Sequence, residues 1–141
     1  MTTSNEHRTV TIERSGEGRF AITNGRAGRI VIGTGSDADF TPTELLLAAI
    51  GGCTAIDVDI LTSRRAEPTK FEINVDAEKV RDAEGNRLKD IAVRFGIEFP
   101  DGKEGDAART ILPDAVEKSQ ERLCTVGRTV ELGTAISTHI E

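Results

Sequence analysis

The sequence predicts an α+β fold, on three observations. Short segments of alternating apolar and polar residues are grouped at the N-terminal end and again in the middle, instead of alternating with helices. One long apolar helix separates the two groups. A second helical region follows the second group, giving the order βββ-α-ββ-α-α-β. At 141 residues the chain is read as a single domain, 1–141.

Residues 1–7, Met-Thr-Thr-Ser-Asn-Glu-His, read as a flexible polar arm. Thr9–Glu13, Arg19–Thr23 and Arg29–Ile32 then place Val10 and Ile12, Phe20 and Ile22, Ile30 and Ile32 at period two. Gly16, Gly18, Gly25 and Gly28 punctuate them, the pattern of a strand meander. Gly33–Asp39 is a loop, in which Asp37 and Asp39 are read as solvated. A helix starts at Thr41-Pro42, where Thr41 can cap and Pro suits the first position, with Glu44 in the first turn. From Leu45 to Ile56 it is apolar on every face and is expected to be buried all round, inside a domain or between two subunits. It closes at Leu61-Thr-Ser-Arg-Arg. Phe71, Ile73 and Val75, then Ile91, Val93, Phe95, Ile97 and Phe99, form a hairpin across Asp82-Ala-Glu-Gly-Asn. A helical stretch from Asp106 to Leu123 sets Ile111, Ala115, Ser119 and Leu123 on one face, with Pro113 expected to divide or kink it. A short helix from Cys124 to Leu132 stops at Gly133, and Ala135–Ile140 reads as a last strand.

Charge narrows the function classes. A net charge of −6 argues against nucleic acid and against anionic membranes. The longest uncharged apolar run, Leu45–Ile56, falls short of the roughly 20 residues of a membrane helix. The first residues lack the basic start and apolar stretch of a signal peptide, so a cytoplasmic location is expected. His7 and His139 have no Cys or carboxylate at ligand spacing, which rejects a zinc site. Asp57 and Asp59 do not share a helix face and are read as solvent or interface contacts.

Chemistry concentrates on two cysteines. Cys53 follows Gly51 and Gly52 inside the apolar helix. Each glycine costs a helix roughly 1 kcal/mol relative to Ala, a cost accepted where backbone closely approaches a neighbour or a substrate. Cys124 opens the last helix, where free N–H groups favour a thiolate, and Arg128 lies one turn on. In a cytosolic protein such a pair is either inert packing or a redox couple, since a permanent disulfide is not expected there.

The segment Thr41-Pro-Thr-Glu-Leu-Leu-Leu-Ala-Ala-Ile-Gly-Gly-Cys-Thr-Ala-Ile-Asp-Val resembles the central helix of the OsmC/Ohr family of thiol peroxidases. Glu117-Lys-Ser-Gln-Glu-Arg-Leu-Cys-Thr-Val is similar to its second cysteine segment, and the order of elements matches over nearly the whole chain. The resemblance implies an OsmC-like fold of antiparallel strands and two long helices, with the central one buried at an intertwined homodimer interface. It implies that Cys53 is the peroxidatic and Cys124 the resolving thiol. They would act on a hydroperoxide, with an external dithiol as reductant and with no metal, flavin or haem. The family's assisting Arg falls near Gly16, flanked by Arg14 and Arg19, of which Arg19 is taken because it begins a strand. Glu44 is taken as the assisting acid, one place after the family position that Thr43 occupies. The alternatives are a non-catalytic dimer that binds an apolar small molecule, and a thiol redox sensor.

Overall fold

A computed structural model describes residues 3–141. Of the arm expected over residues 1–7, residues 1 and 2 lie outside the described residues, and 3–7 are exposed without regular structure. The chain divides into two compact units, one ending at Leu46 and the other running from Leu47 to Glu141.

The first unit is an antiparallel meander of β1 (Thr11–Gly16), β2 (Arg19–Thr23) and β3 (Arg29–Ile32), in the order β1-β2-β3. Register aligns Ile12 with Ile22 and Ile22 with Ile30, so one face carries an apolar row, as the alternation predicts. β1 starts later than expected and continues to Gly16, because the tight turn through Gly18 (φ +68°) joins it directly to β2. Phe40 pairs back onto Ile32.

Helix α1, Pro42–Ser63, begins in the first unit and continues into the second. Its start is a capping box: the Thr41 N–H donates to Glu44 Oε1 at 2.9 Å and the Glu44 N–H to Thr41 Oγ1 at 3.2 Å. In the second unit β4 (Lys70–Asp82) and β5 (Gly85–Glu98) form a long hairpin, pairing Phe71 with Ile97, Ile73 with Phe95 and Val75 with Val93. α1 lies close against it. A Cβ on Gly51 would stand 2.6 Å from Val75 Cγ2 and 3.4 Å from Ile73 Cγ2. This is the near approach that a glycine permits.

Within a single chain α1 is buried along one side, and the expected burial all round would take the second subunit that the sequence reading allowed for. Ile50, Gly51, Thr54, Val58 and Thr62 are buried, a stripe at helical spacing. Leu46, Ile56 and Ile60 are exposed. One chain supplies packing on one side of this helix only. At 22 residues α1 also exceeds the apolar run read from the sequence, and by length and composition alone it could cross a membrane. Here it is a core helix seated on the β4–β5 hairpin.

Helix α2, Lys103–Lys118, runs unbroken through Pro113. It is anchored at its start, where Arg109 donates to the carbonyls of Phe99 (3.1 Å) and Pro100 (3.4 Å) and pairs with Asp106. The interruption comes later, as one π turn, Ser119–Leu123, before helix α3, Thr125–Glu131. The π turn inserts an extra residue, so the buried stripe steps from Ala115 to Ser119 and then to Cys124. Leu123, placed on that face by a regular period, is turned outward. The strand expected at Ala135–Ile140 does not form. Residues 134–141 have no regular structure and pair with no strand among the described residues, leaving Ile136 and Ile140 exposed.

Candidate functional site

The two cysteines meet at the amino end of α3. Both are free thiols, Cys53 part-exposed on α1 and Cys124 buried at 2 % exposure. Cys124 is the N-cap of α3, with extended backbone (φ −74°, ψ 99°), and its Sγ accepts the Gly127 N–H at 3.2 Å. The Val126 N–H and the Cys124 thiol are the groups of this helix start that act on Cys53, so the two sulfurs are neighbours. Successive N–H groups of one helix start therefore serve the two sulfurs, Val126 for Cys53 and Gly127 for Cys124. Such groups have no partner within their own helix, so the thiols fill a vacancy that every helix start creates.

Electrostatics at Cys53 work mostly against ionisation. Burial pushes its thiol up first of all, and the hydrogen bond and charge of Cys124 and the negative charge of Asp57 push the same way. The Val126 N–H acts in the opposite direction. Asp57 is one helical turn beyond Cys53 and so shares its face. Cys53 therefore rests as the thiol, with a raised barrier to forming the nucleophile.

A cavity of about 260 Å³ adjoins Cys124. Ile50 and Thr54 of α1, Ile91 and Val93 of β5, and Cys124 line it, with Glu131 adding a polar group. Its walls suit a small, largely apolar molecule with a polar end.

The other anticipated residues have different partners. Arg19 forks onto both Asp37 and Asp39, which are its anchors and not merely solvated loop residues. Glu44 caps α1. Arg128 donates to the Gln120 carbonyl (3.5 Å) and pairs with Glu131 (3.2 Å), holding the π turn to α3. Asp57, read from the sequence as a solvent or interface contact, instead has an internal partner, its Oδ2 accepting the Ser119 hydroxyl at 2.8 Å. The available signal was a carboxylate one turn from Cys53 on the same helix face. Sequence reasoning missed Val126, which acts through backbone and leaves no trace in residue type.

Known proteins resemble this chain along most of its length. The sequence pattern of the OsmC-like protein family matches residues 33–139. Protein YhfA of Escherichia coli is 29 % identical over 124 residues, covering 86 % of this chain and 88 % of its own. The crystal structure of a hypothetical protein of Aquifex aeolicus superposes with a TM-score of 0.71 at 26 % identity, covering 92 % and 91 % of the two chains. The organic hydroperoxide resistance protein OhrB of Bacillus subtilis shares the fold, with a TM-score of 0.54 at 18 % identity over 88 % and 90 %.

Proposed function

Because the chain belongs to the OsmC-like protein family, we propose that it is a thiol-dependent peroxidase in which Cys53 is peroxidatic and Cys124 resolving. The observation that carries this reading is that the two free thiols are neighbours at one helix start, where Cys124 is the N-cap. The Cys53 thiolate attacks one peroxide oxygen of ROOH and the O–O bond breaks. The sulfur becomes a sulfenic acid, and ROH leaves after taking up a proton. The Cys124 thiol then displaces the sulfenic oxygen as water, closing the disulfide. An external dithiol returns both cysteines to thiols and is itself oxidised to a disulfide. The apolar cavity beside Cys124 supports an organic hydroperoxide as substrate. The working unit in this reading is one domain per chain, in a cytoplasmic homodimer.

Hydroperoxide consumption with a dithiol reductant tests the proposal. Cys53→Ser is expected to abolish turnover, and Cys124→Ser to leave a trappable sulfenic acid on Cys53. Equal consumption by the wild type and Cys53→Ser would end it. Arg19 and Glu44 remain candidates for assisting residues under this proposal. Loss of turnover in Arg19→Gln or Glu44→Gln at unchanged melting temperature would give them that part. Lost stability at unchanged kcat/KM would leave them the anchoring and capping duties described above.

One observation favours a second reading, a redox sensor. A thiol pushed above its ordinary value reacts slowly at neutral pH. Stoichiometric oxidation to the disulfide without sustained consumption would select it.

A further inference from the structure

We infer that Ser119 is a positioning residue that, through Asp57, holds the backbone of Cys124 at the helix carrying Cys53. The inference rests on the reading of the two cysteines as a redox pair.

Ser119 is fully buried and makes two bonds in different directions. Its hydroxyl donates to Asp57 Oδ2 at 2.8 Å, and its carbonyl accepts the Cys124 N–H at 2.8 Å. The chain of contacts runs from α1 at Asp57, through Ser119, to the amide of Cys124, and returns to α1 where Cys124 meets Cys53. The bond from the Cys124 N–H to the Ser119 carbonyl spans five residues and is what makes the turn a π turn. A regular α-helix would bond the Leu123 N–H to that carbonyl and leave Leu123 on the buried stripe. The extra residue rotates the chain by about one position, roughly 100°, and presents Cys124 instead. Held at both ends, the loop has little freedom to carry Cys124 away from Cys53. The effect falls on the second chemical step only, because attack of Cys53 on peroxide does not use Cys124. In that second step the Cys124 sulfur bonds to Cys53, the S–O bond breaks and water leaves.

The reduced protein, its Ser119→Ala, Asp57→Ala and Asp57→Asn variants, and one equivalent of an organic hydroperoxide provide the test. Dimedone trapping reads the sulfenic acid at Cys53, and mass spectrometry of the unreduced protein reads disulfide closure. Ser119→Ala is expected to form the sulfenic acid at the wild-type rate, and Asp57→Ala about two- to tenfold faster because a charge that raises the Cys53 thiol is gone. Both are expected to close the disulfide at least about tenfold more slowly. Asp57→Asn keeps an acceptor for the Ser119 hydroxyl and is expected to close near the wild-type rate. Equilibration with reduced and oxidised dithiothreitol should show the same order in disulfide stability, independently of peroxide. If Ser119→Ala does not fold, Asp57→Ala carries the test, since Asp57 is only partly buried. Unchanged closure in the alanine variants, or equal slowing in Asp57→Asn, would overturn the role of Ser119. A wild-type protein that forms neither sulfenic acid nor disulfide would instead remove the redox pair itself.

Discussion

At Cys53 burial competes with a single backbone N–H, and burial prevails. The thiol is the resting form at neutral pH, so alkylation of Cys53 by iodoacetamide should rise with pH to a midpoint above the ordinary thiol range. Two substitutions should move that midpoint down. Cys124→Ala removes a hydrogen bond and a charge that raise the thiol, and Asp57→Asn removes a second charge. Each is expected to speed alkylation at pH 7 by about two- to tenfold, one pK unit being tenfold in thiolate. A slower reaction in either variant would contradict the assignment of causes. The same shift has a consequence for stability. The unfolded chain loses this proton at lower pH than the folded chain, so stability is full below the unfolded value. It falls as pH rises through the window up to the raised folded value.

Helix contacts show where glycine was indispensable. A Cβ on Gly105 would stand 1.7 Å from the Pro100 carbonyl oxygen, which forbids any side chain while the first turn of α2 stays in place. Gly105→Ala is expected to cost at least about 3 kcal/mol in denaturant unfolding, and Gly51→Ala about 1–3 kcal/mol against Val75. Gly52 has nothing within 4 Å, so alanine there should stabilise α1 by about 0.5–1 kcal/mol in the isolated chain. A large loss would place a further neighbour on that face. The sequence made the meander, the hairpin, the capped start of α1 and the two cysteine segments legible, because alternation, turn chemistry and caps are local. It misplaced the break in the second helical region. Pro113 is a visible breaker, yet removing one N–H leaves α2 continuous. The real interruption at Ser119 is set by bonds to Asp57 and Cys124, which no local pattern encodes. Glu44 and its partner Thr41 were legible because a capping box is local. Arg19 was legible as the start of a strand, but its partners Asp37 and Asp39 were not, because they come from a loop 18 and 20 residues on.

Across the whole molecule, apolar surface remains where one chain provides no cover. Leu46, Ile56 and Ile60 lie open on α1, and Ile12 and Ile30 lie open on the meander. An apolar helix face left open in this way is what the proposed homodimer would cover. Light scattering should give twice the chain mass, and melting should rise with protein concentration. Ile60→Asp should shift the species to monomer, and a monomeric wild type would defeat the dimer reading. The end of the chain is also left open. Residues 134–141 present Ile136 and Ile140 to solvent at 92 % and 100 % exposure. On a lone subunit that sticky, unfastened ribbon is ready fodder for a protease. Its rate of trimming at rising protein concentration would tell whether association shelters it.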